Sequence, residues 1–204
     1  MYFTESPYER SIERMMTSIP NFRPRGSGVI ILCEFDYSLD DLFLTESIAA
    51  SAISPRDILL NTMSSAPPAF FKRLNQYLQE SENTDMTYID EKHMTAFTEA
   101  IKKSNKKNYA LLSAVYLLSA NRKLWNAIKK YVKRNEIHFG MFYLRDGSED
   151  AYTLLCAAKD LYLGTKHLTL GDLADTDLIS KRMFGIICNA MAIRRFGLAA
   201  VRFE

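Results

Sequence analysis

Three cysteines (Cys33, Cys156, Cys188) and three histidines (His93, His138, His167) are the residues best equipped for metal or nucleophilic chemistry, and their spacing argues against both. A zinc site wants ligands paired at short intervals, because two ligands from one turn fix half the tetrahedron. Here each stands alone, and the nearest Cys–His pair, Cys156 and His167, is separated by an expected helix end. Asp36, Ser38 and Asp40 have the first three spacings of a calcium loop, but Asp41 stands where the sharp turn demands glycine and Ser47 where a bidentate glutamate belongs. A reactive thiol needs a polar, partly exposed setting. Cys156 (in Leu154–Ala158) and Cys188 (in Phe184–Cys188) both sit in apolar runs and read as small core residues. Gly26-Ser27-Gly28 precedes an apolar run, whereas phosphate cradles follow a strand and open a helix. Asp172, Asp175 and Asp177 lie between two helices, where aspartate ordinarily caps and turns. The sequence therefore points to no metal, no cofactor and no catalytic residue. A small hydrolase or transferase remains only as a third reading, since any fold can carry a grafted site.

Basic residues make the stronger pattern. Residues 1–100 hold 8 basic and 15 acidic side chains, residues 101–204 hold 18 and 9, and the net charge of +2 conceals this division. Lys102–Arg134 contains ten Lys or Arg and no carboxylate, while Glu34–Glu46 contains five carboxylates and no cation. An amphipathic helix is expected over Arg122–Arg134, with Leu124, Trp125, Ile128, Tyr131 and Val132 on its apolar stripe. Its other face would carry Arg122, Lys123, Lys129, Lys130, Lys133 and Arg134. Such a face suits nucleic acid or an acidic protein, but packing against the acidic half of the same chain is the preferred reading. Thr169–Ile187 can also be threaded on a helix-turn-helix, placing Lys181 and Arg182 at the start of a reading helix. Against this, the turn has Asp177-Leu178 instead of glycine, and Met183, Phe184, Ile186, Ile187, Met191 and Ile193 make the second helix apolar on too many sides. A plain packed helix pair is the preferred reading there. Trp125, on the apolar stripe, reads as core and not as a stacking platform.

The elements that must position these residues are helical. Eight glycines and six prolines in 204 residues leave few turns, and the fold class expected is mainly α, a helical bundle with at most one short β element. A short helix is expected from Ser6-Pro7 to about Thr17, a linker over Asn21–Gly28, and a strand at Val29–Cys33. Helices follow from Ser54-Pro55, over Ala69–Glu80, Ile89–Lys103, Tyr109–Ala120 and Arg122–Arg134, from Ser148 to Gly164, and from Ser180 to Gly197. Ile137–Leu144 is β-prone. The implied organisation is an N-terminal helical arm over 1–25, an acidic helical region over 26–88 and a basic helical bundle over 89–204, the last two packing as one domain. The longest apolar stretch, Tyr109–Ala120, is short of the roughly 20 residues of a membrane span, and the acidic start lacks a signal peptide's apolar centre. A reduced, cytoplasmic chain without membrane contact is expected.

Ile89–His93, Leu111–Asn121 with Leu124 and Trp125, Ala158–Gly164 and Ile187–Gly197 resemble the helices of a family of uncharacterised small helical proteins from Firmicutes, found in phages and mobile elements. The segment Ser6–Met16 is similar to the start of small proteins of conjugative elements. The resemblance implies a helical fold and a mobile-element setting, and it brings no catalytic residue. The expected function is a non-catalytic interaction protein whose partner is another protein or its own copy. The alternative is a DNA- or RNA-binding accessory protein using Arg122, Lys123, Lys129, Lys130, Lys133 and Arg134, with Lys181 and Arg182.

Overall fold

The structure, a computed structural model, describes residues 54–80, 87–102, 104–144 and 148–201. Contacts divide the chain into two compact units, Met1–Leu44 and Thr45–Glu204, and all described residues belong to the second. The expectations for the arm helix, the 21–28 linker, the 29–33 strand, Cys33 and the 36–47 loop lie outside the described residues.

Among the described residues eight α-helices follow in order: α1 (Pro55–Thr62), α2 (Pro68–Glu80), α3 (Glu91–Ile101), α4 (Tyr109–Ser119), α5 (Arg122–Ile128), α6 (Glu149–Leu163), α7 (Leu170–Ala174) and α8 (Lys181–Phe196). Seven begin alike, with a short polar side chain accepting a backbone N–H that has no partner inside the helix. Ser54, Asp90, Asn108, Asn121, Ser148, Thr169 and Ser180 each accept from the residue three positions on. Thr169 and Asp172 form a reciprocal capping box. Two ends are set by glycine: Gly164 and Gly197 hold φ of 72° and 70°, a region that side chains with a Cβ disfavour. The mainly-α helical bundle expected from the sequence is the fold observed.

The core is organised on two helices that lack a polar face. Every residue from Leu111 to Ser119 of α4 is buried, as is every residue from Met183 to Ala190 of α8. α3, α5, α6 and α8 pack around α4, while α1 and α6 also contact α8. With the following single turn Gly197–Val201, α8 is long and apolar enough to cross a membrane by length and composition, yet most of it is buried inside the protein. The sequence reading placed the longest apolar stretch at Tyr109–Ala120. The charged residues of α8 stand at its ends, Lys181 and Arg182 at one and Arg194 and Arg195 at the other, so its interior forms a longer apolar body.

Buried polar groups in this core are tied down, as the cost of an unpaired one requires. The Arg73 guanidinium of α2 donates to the carbonyls of Leu173 (2.5 Å), Asp175 (2.7 Å) and Ile179, and its carbon lies 4.6 Å from the Phe184 ring centre. That one side chain gathers the whole α7–α8 connection. The His93 ring is held between the Ile89 N–H, which donates to Nδ1 at 3.2 Å, and the Tyr116 carbonyl, 2.9 Å from Nε2. The same Tyr116 donates its hydroxyl to the Thr87 carbonyl and accepts from Asn189 Nδ2 at 3.4 Å.

Three elements differ from expectation. The helix expected over Arg122–Arg134 ends at Ile128; a single 3₁₀ turn, Lys129–Tyr131, follows. Val132 then pairs with Ile137 in one isolated antiparallel bridge, and the β-prone 137–144 segment holds only this bridge and the turn Phe139–Met141. Local backbone pairing explains these first two departures. The Lys133 N–H donates to the Glu136 carbonyl at 2.8 Å and the His138 N–H to the Tyr131 carbonyl at 3.1 Å, closing a tight loop. The Ile137 N–H donates to the Tyr162 hydroxyl of α6 at 3.1 Å, so it serves the helix instead of a strand partner. α3 starts at Glu91 and not at Ile89, because Asp90 caps it and the Ile89 N–H is given to His93.

Candidate functional site

α5 and the turn after it form a thin wedge. Leu124 and Ile128 are buried in the bundle, which leaves Arg122, Lys123, Asn126, Ala127, Lys129 and Lys130 exposed. A cleft opens on each side. The larger, about 850 Å³, is lined by Arg122, Lys123 and Lys130 with Tyr131, Phe142, Tyr143 and Met141, among others. The smaller, about 560 Å³, is lined by Lys102, Lys129, Lys133 and Arg134, with Trp125, Val132, Ala100 and Ser104. Among the described residues, seven cations line the two clefts and no carboxylate does.

These cations are not neutralised locally. Among the described residues, no carboxylate comes within 4.0 Å of any of the seven. Lys129 Nζ donates to Asn126 Oδ1 at 3.1 Å, and Lys130 Nζ lies 5.0 Å from the centre of its neighbour's ring, Tyr131. Tyr131 packs against the buried Phe142 with ring centres 6.0 Å apart, which fixes the floor of the larger cleft. On its rim stand Tyr143, 81% exposed, and Met141, 66% exposed. Trp125 is half-buried in the wall of the smaller cleft, neither wholly core nor wholly free. A third cleft of about 560 Å³ shares Leu144 and Ser148 with the larger one but carries Glu149 and Asp177, beside Tyr152 and Leu178. The sign of charge therefore reverses beyond Leu144.

Six of the eight cations singled out in the sequence are thus brought together, distributed over two clefts instead of one helical face. Lys181 and Arg182 are elsewhere. Lys181 Nζ is 2.6 Å from Glu80 Oε2, and its hydrogen bond holds the Glu80 carboxyl below its ordinary range. Arg182 Nη2 donates to the Ile89 carbonyl at 3.5 Å. The helix-turn-helix threading has no exposed reading helix: α7 has five residues, Arg73 occupies the connection, and Met183, Phe184, Ile186 and Ile187 are buried. Lys102, Met141, Phe142 and Tyr143 were not anticipated. Lys102 was legible as the first member of the ten-cation run, whereas the exposure of Tyr143 depends on a backbone course that β-propensity misreads.

The groups equipped for other chemistry are committed to structure. Cys156 and Cys188 are buried thiols. Burial pushes the Cys188 thiol up, against the opposing effect of Arg73. Asp172 Oδ2 accepts the Thr169 N–H at 2.8 Å in the capping box of α7, and Asp175 Oδ1 accepts the Asp177 N–H at 2.8 Å. His167, alone in the sequence reading, is paired: its Nδ1 is 2.7 Å from Asp160 Oδ1. Burial raises the Asp160 carboxyl, but hydrogen bonds from His167, Thr165 and the Leu168 N–H together outweigh it and hold the group below its ordinary range. The pair thereby clips the α6–α7 loop to α6, and the Thr165 hydroxyl donates to the carboxylate instead of facing the imidazole. Among the described residues no three His, Cys, Asp or Glu side chains are grouped to hold a metal ion. In comparisons with known proteins, no family model, no curated protein and no solved structure matches the chain.

Proposed function

We propose that this chain is a cytoplasmic, non-catalytic interaction protein that holds a polyanionic partner on the face built by α5 and its two clefts. One observation carries the reading: among the described residues, seven cations line adjoining clefts with no carboxylate in the lining and none in ion-pair range. Other polar groups have partners within the chain: Arg73 and His93 bond to the backbone, Asp160 to backbone N–H groups and to the side chains of Thr165 and His167, and Lys181 pairs with Glu80. Charges left unpaired side by side repel one another, and an anionic partner relieves that repulsion while releasing its own counterions. In this reading α8 serves the core and not a membrane.

The test is binding of a labelled heparin oligosaccharide by the full chain, followed by anisotropy as salt is raised. With most of the seven cations engaged, affinity should fall on the order of 10³-fold between roughly 50 and 200 mM salt. Lys129→Glu/Lys130→Glu/Lys133→Glu should abolish the signal, because Lys130 serves one cleft and Lys129 and Lys133 the other. Binding insensitive to salt, or unchanged in the triple variant, overturns the reading.

A further inference from the structure

Chemistry beyond charge distinguishes the larger cleft. A site built only for phosphate needs cations. This one also holds an aromatic ring out in solvent, Tyr143, next to an exposed thioether, Met141, with Tyr131 and Phe142 beneath. Exposing a tyrosine to 81% leaves apolar surface wetted that folding ordinarily removes from water. We propose that the polyanion is a single-stranded nucleic acid, its backbone on Arg122, Lys123 and Lys130 and a base stacked on Tyr143. The inference rests on the polyanion-binding reading and specifies its partner.

Shape favours a single strand over a duplex. A duplex is read by a protruding helix laid in its major groove. Here the cationic surface is concave on both sides of a seven-residue helix. Single strands are held in cationic grooves furnished with aromatic rings, since every unpaired base has a face to stack. An acidic peptide would satisfy the lysines and arginines but gives Tyr143 nothing flat to cover.

Polarity along the surface sets the direction in which the strand continues. Beyond Leu144 the neighbouring cleft carries Glu149 and Asp177, which repel phosphate. Across α5 lies the second basic cleft, where Trp125 lines a wall among Lys102, Lys129, Lys133 and Arg134. The strand therefore passes from the Tyr143 cleft over α5 toward Trp125. Trp125 is the sole tryptophan of the chain, so its fluorescence reports occupancy of the second cleft without any label.

The experiment titrates the full chain with fluorescent 20-nucleotide oligo-dT and oligo-U, a duplex of mixed sequence and equal length, and a 20-residue poly-glutamate, at low salt. The expected result is tighter binding of the single strands than of the duplex, with quenching of Trp125. Tyr143→Ala should weaken single-strand binding about tenfold, as loss of one stacked base does, and Tyr143→Phe should restore it. Circular dichroism of each variant confirms the helical fold. Poly-glutamate bound in preference to the oligonucleotides overturns the single-strand proposal and leaves polyanion binding standing, with an acidic protein as partner. Equal binding of duplex and single strand, with Tyr143→Ala silent, overturns stacking in the same way. Absence of binding to every probe overturns the polyanion reading itself.

Discussion

Arg73 and the cations around α5 are chemically close and structurally opposite. Arg73 is buried between α2 and the α7–α8 connection, with three backbone carbonyls and an aromatic face as partners. Arg122, Lys123, Lys129, Lys130, Lys133 and Arg134 are exposed, and none has a carboxylate partner among the described residues. A cation in the first setting determines whether the chain folds, because carbonyls that have left water must find a donor. One in the second setting contributes nothing to folding and is free for a partner. The lesson is that ten cations in sequence say less about function than which cations the fold leaves unsatisfied.

The sharpest way to break this contrast is to remove Arg73. Arg73→Met keeps the aliphatic stem but strands the carbonyls of Leu173, Asp175 and Ile179 around an apolar group. Each buried unsatisfied acceptor costs roughly 1–3 kcal/mol, so the loss should be about 4 kcal/mol after partial relaxation. Urea denaturation followed by circular dichroism measures it. Arg73→Lys should fall between, since an ammonium lacks the planar fork that spans several carbonyls. A loss under about 1 kcal/mol for Arg73→Met would mean that the connection is not held by this side chain.

His93 comes next, and its effect depends on pH. The Ile89 N–H and the Tyr116 carbonyl accommodate a neutral ring that accepts at Nδ1 and donates at Nε2. Burial, foremost, lowers its pKa from 6.5 to about 4; the Tyr116 carbonyl and Asp90 oppose the shift, and Arg182 adds to it. The unfolded chain then binds the extra proton between about pH 6.5 and pH 4, so stability is full above pH 6.5 and declines as pH falls to 4. The integrated loss is about 3 kcal/mol. Carboxylates held low, such as Asp160, act below that window. His93→Gln can keep an acceptor and a donor but does not titrate, and it should flatten the slope between pH 6.5 and 4 while leaving the drop at lower pH.

Gly185→Ala is expected to be smaller. A Cβ there would overlap the Tyr77 ring and its hydroxyl oxygen, so α8 needs glycine where Tyr77 of α2 crosses it. Overpacking of this kind costs about 2 kcal/mol, and Tyr77→Phe/Gly185→Ala should recover part of it by removing the nearest atom. The paired variants can be compared by thermal melts.

Much of this architecture was legible, and the reason is local. Ser54, Ser148 and Ser180 announced helix starts and Gly164 and Gly197 announced ends, because caps are fixed by a residue and its near neighbours. The apolar character of Tyr109–Ala120 announced a central helix for the same reason. The end of α5 at Ile128 was not legible. It depends on the Lys133–Glu136 and His138–Tyr131 backbone bonds and on the Tyr162 hydroxyl, a partner 25 residues away from Ile137. The same long reach hid the fork of Arg73, whose acceptors lie 100 or more residues on. The eight candidate cations were named from charge alone; the division of six of them between two clefts, and the exposure of Tyr143, required the fold.

The last prediction concerns the smallest effect on folding. Lys129→Glu/Lys130→Glu/Lys133→Glu changes the net charge by six units, a perturbation that ought to be felt if these lysines helped hold the bundle. They touch little: Lys129 has one exposed hydrogen bond to Asn126, and Lys130 one ring contact with Tyr131. Exposed charges are worth a few tenths of a kcal/mol each, and the mutual repulsion of the seven cations falls as three of them change sign. The triple variant should therefore match the wild type in urea within about 0.5 kcal/mol, while losing polyanion binding. Stability that instead drops by about 2 kcal/mol or more would show that the lysines serve the fold, and the distinction between Arg73 and the α5 face would collapse. Retained stability with lost binding separates the two kinds of cation by experiment, which a binding assay alone cannot do, since an unfolded variant also fails to bind.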